Sequence, residues 1–473
     1  MSAEEYDLIV LGGGPVGENV ADRAVQGGLT AVIVEGELVG GECSYWACMP
    51  SKALLGPIRA VHAAQHIGGA AQAVSGDLDV RAVLARRNGF TSDWKDDGQV
   101  GWLDSAGIGL VRGHGRLSGE KQVTVTTPDG AERVLTARHA VAVSTGTDAV
   151  VPDIPGLRAA RPWTSREATS AQEVPASLAV IGGGVVAVEM ATAYAGLGAE
   201  VTLIARSGLL GGVEPFAGEL VGDGLRELGV DVRTGTGIRS VRRAGDAVTV
   251  ETDGGDVVAQ EVLVATGRSP RSADVGLETV GLVPGDWIRT DDTLLVPGTD
   301  WLYAVGDVNA RALLTHQGKY QARAAGDVIA ARARGERIDT EPWGRHVATA
   351  DHRAVPQVVF SLPEVAAVGL SEKAARDAGL DVRAVDVEFG SVAGAGLHED
   401  GYRGHARMIV DEQRGTVVGL TLAGPDVGEL IHAATIAVVG EVPLTRLWHA
   451  VPSYPTMSEV WLRLLEAYGR DSA

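Results

Sequence analysis

Both cysteines of the chain fall in one stretch, Gly40-Gly41-Glu42-Cys43-Ser44-Tyr45-Trp46-Ala47-Cys48-Met49-Pro50-Ser51-Lys52. Two thiols five positions apart have few uses. A tetrahedral metal site needs four ligands, and here there is no third cysteine and no nearby histidine to complete one. Residues i and i+5 of an ideal helix stand too far apart for easy S–S closure, so a bond would need a distorted turn. A purely structural staple closing so short a loop would gain little. Two readings remain: a redox-active dithiol at a helix start, where the helix dipole favours thiolate, or two inert buried thiols.

Two glycine turns have the form that holds phosphates. Gly12-Gly-Gly14-Pro15-Val-Gly17 fits G-x-G-x-x-G. The first glycine permits the tight turn, and the second lets backbone N–H groups approach a pyrophosphate at a helix N-terminus. The third allows close helix–strand packing. Glu35 follows where a carboxylate can bind a ribose diol. The second turn, Gly182-Gly-Gly184-Val185-Val186-Ala187, has the same mechanics but a different sequel. Its next strand ends Ile204-Ala205-Arg206-Ser207, with a guanidinium where an acid would select the 2′-hydroxyl of NAD. Arg206 can pair with a 2′-phosphate, and no carboxylate repels it, so NADPH is favoured over NADH.

The elements that must position these groups follow from the pattern around them. Strand-like Tyr6–Leu11, a helix from the first turn to about Gly27 and a strand at Thr30–Val34 make one βαβ unit. Leu178–Ile181, a helix to about Leu197 and Glu200–Ala205 repeat it. Val151-Pro-Asp-Ile-Pro-Gly156 reads as the linker between the two. From about Val355 the character changes. Val358–Phe360, Ala406–Val410 and Val417–Thr421 look like antiparallel strands, with helices near 371–378 and 426–439. The fold class is therefore α/β: two Rossmann-like dinucleotide-binding domains plus a C-terminal α+β domain.

Composition agrees and excludes alternatives. A chain of 473 residues has room for about three or four domains. Glycine supplies 64 of them, nearly twice the usual share of about 7%, which suits tight strand-to-helix turns. A net charge of −20 offers no basic field for nucleic acid or an anionic membrane. No apolar run reaches the ~18 residues a bilayer span requires. The opening Met-Ser-Ala-Glu-Glu has neither the basic start nor the cleavage site of a signal peptide, and two cysteines exclude a disulfide-stapled secreted fold. A cytoplasmic protein is expected.

Taken together, these motifs resemble the FAD-dependent pyridine nucleotide–disulfide oxidoreductases, which include dihydrolipoamide dehydrogenase, glutathione reductase and mercuric reductase. The family's redox motif, Gly-Gly-x-Cys-x4-Cys-x-Pro-Ser-Lys, is matched from Gly40 to Lys52. Gly113-His-Gly115, Ser144-Thr145-Gly146 and Ala265-Thr-Gly267-Arg268-Ser-Pro270 look like further flavin and nicotinamide elements. Tyr303-Ala-Val-Gly306-Asp307 resembles the second FAD motif, with Leu313-Leu314-Thr315-His316 beside the flavin. Gly424-Pro-Asp-Val-Gly-Glu429 is similar to the dimerisation-domain motif. The resemblance implies FAD on the first module, with Gly41 and Lys52 contributing, and NAD(P)H on the second. It implies four segments: 1–150, the first part of an FAD domain; 151–275, the NAD(P)H domain; 276–346, a return to the FAD or central domain; and 347–473, the interface domain. Electrons would reach the disulfide through Cys48, and Cys43 would be the interchange thiol. Lys52 and Glu189 match a family ion pair near the flavin.

One departure stands at the C-terminus. The family's disulfide reductases donate His-Pro-x-x-x-Glu across the dimer interface, whereas this chain reads Tyr454-Pro-Thr-Met-Ser-Glu459. A phenol with an unperturbed pKa near 10 cannot cycle protons at neutral pH as an imidazole does. His449, five residues upstream, aligns with the preceding helix and reads as structural. Tyrosine here, and the Ala205-Arg206-Ser207 strand end, look like mercuric reductase, yet no vicinal cysteine pair follows Cys48. The soluble transhydrogenases share Tyr-Pro-Thr but lack the redox pair. The resulting expectation is a cytoplasmic homodimer, with the active site shared across the interface, no resident metal and no nucleic-acid or membrane partner. It would pass electrons from NADPH through FAD and Cys43–Cys48 to a small-molecule or thiol-bound acceptor: a disulfide, a thiol-bound metal ion or a quinone. An NAD-linked dihydrolipoamide dehydrogenase and a redox-sensing flavoprotein of little turnover are the alternatives.

Overall fold

Along Leu8–Leu11 every side chain is buried, with Leu8 and Val10 packing into one core cluster and Ile9 and Leu11 into another. A strand covered on both faces reads as a continuous apolar run and belongs in the middle of a parallel sheet. The computed structural model, which describes residues 4–470, has that arrangement. The chain forms two compact units: one comprises the chain up to Pro50, Asn88–Ala149 and Arg268–His352; the other comprises Ser51–Arg87, Val150–Gly267 and the chain from Arg353 onward.

In the first unit, Glu4–Leu11 lies between Ala31–Glu35 and Glu132–Val143, parallel to both. Gly109–Arg112 extends one side, and Leu302–Ala304 also pairs in parallel with Glu132–Val143. An antiparallel hairpin, His114–Gly119 and Gln122–Thr126, continues from Glu132–Val143. The helices Pro15–Gln26 and Thr315–Ala333 bury Val20, Ala24, Ala325 and Val328 in the same cluster as Leu8 and Val10. At about 1.5–3 kcal/mol for each large apolar side chain removed from water, this layer fixes where the helix starts sit.

In the second unit the grammar returns. Ser177–Ile181 pairs in parallel with Glu200–Ile204 and Glu261–Val264, and Asp231–Arg233 flanks Glu200–Ile204. Ile238–Ala244, Ala247–Thr252 and Val257–Ala259 form a small antiparallel sheet. The C-terminal part is a five-stranded antiparallel sheet in the order Pro356–Val359, Glu364–Gly369, Thr416–Gly424, His405–Asp411, Val382–Glu388. Ile431–Val439 and Val460–Tyr468 share its core.

The α/β class with a C-terminal α+β region is thus as expected, and the differences are local. Two strands of the five-stranded sheet, Glu364–Gly369 and Val382–Glu388, escaped the sequence pattern. The helix expected over 426–439 opens as a 3-10 turn, Val427–Leu430, after Asp426 in a left-handed conformation (φ 54°). Among the described residues no helix is long and apolar enough to cross a membrane.

Candidate active site

The sequence Gly41–Lys52 does not form one helix. Gly41–Tyr45 makes a short helix that ends at Trp46 (φ −138°, ψ 5°), and a new helix, Cys48–Gln65, starts at Cys48 itself. This break supplies the distorted turn that the spacing demanded. The Cys43 thiol comes to donate a hydrogen bond to the Cys48 sulfur, and Thr315 Oγ1 lies 3.3 Å from Cys48 Sγ. No disulfide joins the two sulfurs in this structure. The Cys48 hydrogen bond, then burial, push the Cys43 thiol well above the ordinary range, with Thr315 and the Lys319 ammonium opposing. The helix-start argument for a thiolate therefore does not carry over to Cys43, whose near neighbour is another sulfur.

Cys43 lies on the wall of a cleft whose other side is built by the first glycine turn. Gly12 has φ +100°, and a Cβ there would stand 2.5 Å from the Ser144 carbonyl oxygen; on Gly17 it would stand 2.0 Å from the Gly12 carbonyl oxygen. Gly12 is thus required by conformation as well as by contact, and Gly17 by contact alone. Gly14 caps the helix that begins at Pro15, and Gly41 packs on Gly14 across the cleft. Gly12, Gly14, Pro15, Glu35, Gly41 and Cys43 all line it. Glu35 accepts hydrogen bonds from the amides of Gly13 (2.6 Å) and Glu37 (2.7 Å).

Ser144, Thr145, Gly146 and Asp307 complete the wall, together with Thr315. The Ser144 hydroxyl oxygen is buried without a partner among the described residues. Burial pushes the Asp307 carboxyl above the ordinary carboxylate range, against a 3.1 Å hydrogen bond from Thr147. Gly306 (φ +84°) donates to Gln321 Oε1 at 2.8 Å, which turns the chain into Asp307. Arg268 is tied to Thr147 Oγ1 (2.9 Å) and to Glu42. Of the remaining candidates in this unit, Leu313 and His316 are exposed beside Leu314, which caps the helix starting at Thr315. Gly115 packs on Leu11 and Val34 and is not among the residues lining the cleft.

In the second unit, Lys52 Nζ lies 2.8 Å from the Glu189 carboxylate and 4.9 Å from the Phe360 ring centre, while the Phe360 amide donates to Glu189 at 3.0 Å. Glu189 is fully embedded in the helix Val185–Gly196, which Gly184 caps and Val185 and Val186 begin. Gly182 repeats the Gly12 geometry: its φ is +138°, and a Cβ would meet the Ala265 carbonyl oxygen at 2.2 Å. Arg206 and Ser207 are exposed at the end of Glu200–Ile204, and Arg206 has no carboxylate partner among the described residues. Gly267 has φ +149°. Tyr454 is 77% exposed, His449 is exposed, and Glu459 is buried with Oε2 lacking a partner among the described residues.

Sequence reasoning missed several residues. Thr147 and Arg271 line the first cleft without belonging to any motif, and Glu42, which also lines it, fills the variable position of Gly-Gly-x-Cys. Thr315 was expected beside a flavin but not against Cys48. Glu18, in the first turn of the glycine-turn helix, is a carboxyl that burial pushes up to about 7. A carboxylate next to a phosphate-type turn was the only available signal, and surface acids look the same in sequence.

Residues 6–329 match the pyridine nucleotide-disulphide oxidoreductase family, and residues 355–465 match that family's dimerisation domain. The chain belongs to this family of oxidoreductases, whose cofactors are FAD and a nicotinamide nucleotide. It is similar to the mercuric reductase of Shigella flexneri, at 31% identity over 99% of this chain and 82% of that one. It is equally similar to the dihydrolipoyl dehydrogenase of Thermus scotoductus, at 32% identity over 98% and 97%. Its fold matches the HOCl-induced flavoprotein disulfide reductase RclA of Escherichia coli, with a TM-score of 0.81 and 23% identity over 98% and 99% of the two chains.

Proposed function

We propose that the protein is an NADPH:acceptor oxidoreductase that cycles Cys43 and Cys48 between disulfide and dithiol. The observation that carries this is the helix break at Trp46, which sets Cys43, a wall residue of the glycine-turn cleft, against Cys48. FAD fits that cleft. An unpartnered Ser144 hydroxyl, the Glu35 and Asp307 carboxylates, and glycines with no space for a Cβ form a dinucleotide's donor and acceptor set. When bound, the flavin supplies a two-electron relay between nicotinamide and sulfur.

The remaining roles belong to side chains of this chain. Gly12, Gly14, Pro15, Gly17 and Gly41 hold a pyrophosphate, Glu35 takes a ribose diol, and Asp307 takes the ribityl chain. Ser144, Thr145, Gly146 and Thr315 shape the rest of the cleft, and the family motifs add Gly115, Gly267, Arg268, Gly306, Leu313, Leu314 and His316 to the cofactor-binding set. Lys52, its ammonium fixed by Glu189, acts near the flavin. Gly182, Gly184, Val185 and Val186 hold the nicotinamide nucleotide, with Arg206 and Ser207 reading its 2′-phosphate. Cys43 meets the acceptor while Cys48 takes the electrons. Tyr454 and Glu459 of a second copy complete the site in a cytoplasmic homodimer, with segments 1–150 and 276–346 carrying FAD, 151–275 NADPH and 347–473 the interface.

Because Tyr454 stands where an imidazole would protonate a leaving thiolate, the acceptor class is one that needs little acid help from that position: a reactive disulfide, a thiol-bound metal ion or a quinone. The 32% identity to dihydrolipoyl dehydrogenase favours one other reading, NAD-linked oxidation of dihydrolipoamide. Purified enzyme assayed with NADPH and each acceptor class, and with NAD⁺ and dihydrolipoamide, separates them. Sustained NADPH consumption that Cys48→Ser abolishes supports the proposal, and fast dihydrolipoamide oxidation overturns it. Arg206→Glu lowers kcat/KM for NADPH by about 10- to 100-fold, the value of one charge-assisted phosphate contact, and spares NADH. An unchanged ratio defeats the nucleotide assignment.

A further inference from the structure

Glu18 is a partly buried titratable group that none of the roles above uses. It sits in the first turn of the helix Pro15–Gln26, and its Oε1 is buried with no partner among the described residues. A buried carboxylate oxygen left unpaired costs stability, so a side chain kept there has some other use. Glu18 lines a cleft with Asn19, Gln99, Trp102 and Lys319. The cleft reaches the dithiol segment: Gln99 Nε2 would stand 3.1 Å from a Cβ on Gly40, the residue that caps the short helix carrying Cys43. The Lys319 ammonium acts electrostatically on both Glu18 and the Cys43 thiol, lowering each.

We propose that Glu18, with Lys319 beside it, is the proton-exchanging group of the dithiol, taking the proton Cys43 must lose and returning it to the thiolate that leaves the acceptor. This rests on the Cys43–Cys48 cycle proposed above. The reduced pair holds one proton, on Cys43, with Cys48 as thiolate. Cys43 gives its proton to the Glu18 carboxylate, and the sulfur attacks an alkyl disulfide. A Cys43–acceptor S–S bond forms, the acceptor's own S–S bond breaks, and the first leaving thiolate takes the proton back from Glu18. Cys48 then attacks Cys43, and the second thiolate leaves. The pair loses two electrons, the acceptor gains them, and one thiol and one thiolate are released.

The surroundings suit the task. Burial raises the Glu18 carboxyl to about 7, Lys319 opposes that rise, and the Glu35 carboxylate adds to it. The Tyr45 phenol, on which the Glu18 charge also acts, is pushed up to about 12, chiefly by burial, and stays neutral. A group titrating near neutrality is the one an acid–base step requires. Such a group removes the need for an imidazole at position 454.

The test follows alkylation of Cys43 by iodoacetamide in NADPH-reduced holoenzyme across the neutral pH range, read by mass spectrometry beside turnover of hydroxyethyl disulfide. Wild type shows an inflection near 7 in both. Glu18→Gln removes it and slows both near neutrality by about 10-fold or more. Lys319→Gln, which takes away the cation that lowers Glu18, moves the inflection to higher pH. Unchanged profiles in Glu18→Gln with full flavin content overturn the proposal, as does a Lys319→Gln profile that stays put or moves down. If NADPH leaves both cysteines unalkylated in wild type, the dithiol cycle itself fails, which is a separate result.

Discussion

Thr315 acts on both sulfurs, opposing the rise of the Cys43 thiol as well as meeting Cys48. Its Oγ1 is 3.3 Å from Cys48 Sγ, and a hydroxyl donating to a thiolate contributes about 1.5–3 kcal/mol. Thr315→Val, nearly isosteric, removes the hydrogen bond that opposes the rise of the Cys43 thiol and raises that thiol further, measured by the pH dependence of its alkylation; no change would remove Thr315 from the site. At the other end of the chain, Tyr454→His supplies the missing imidazole. Disulfide turnover rises by about 10-fold or more where proton delivery limits the rate, and a flat response leaves that duty with Glu18. Glu18 also ties folding to pH. The folded chain holds its proton up to about 7, while an unfolded chain releases it near 4.5. The folded state thus binds more protons in that window, and its stability falls as pH rises through it. Glu18→Gln flattens that decline in chemical denaturation curves.

Elements decide whether such residues meet. The segment between Asp307 and Thr315 carries one cleft residue at each end, and a buried polar network holds it. Arg311 pairs with Asp351 at 2.8 Å and with Asp292 at 2.7 Å, and Gln317 donates to Asp351 at 2.9 Å. Asp351→Asn leaves the guanidinium without its buried counter-charge, a loss of about 3–5 kcal/mol, seen as a lower Tm and weaker flavin retention. Retained Tm and flavin content would show the segment is held by other contacts. The network was illegible in sequence because its members are scattered from Asp292 to Asp351 and no short-range pattern links them. Local features were legible. Both glycine turns, their helices and Glu35 follow from φ requirements and spacing within about 25 residues. The strands Glu364–Gly369 and Val382–Glu388 were not, since a short run such as Glu-Val-Ala-Ala-Val-Gly carries little period-2 signal. The dithiol lay between these cases. The spacing required a distorted turn, but the break at Trp46, which raises the Cys43 thiol rather than lowering it, needed the three-dimensional backbone.

At the scale of the molecule, residues 355–465 match the family's dimerisation domain, and Tyr454 and Glu459 lie within them. Glu459, buried with a free oxygen among the described residues, is suited to orient a neighbouring group. Sedimentation is expected to give twice the 48.9 kDa chain mass, and interface variants that yield monomers lose acceptor turnover while still binding NADPH. Full turnover in a monomer would show that one chain holds the whole site. The central claim is that electrons pass through Cys43 and Cys48. Anaerobic titration of the purified yellow protein with NADPH tests it most directly. One equivalent should produce an absorption band beyond that of the oxidised flavin, as a thiolate of the reduced pair would give, and Cys48→Ser should not show it. Bleaching of the flavin with no such band in wild type would contradict the account.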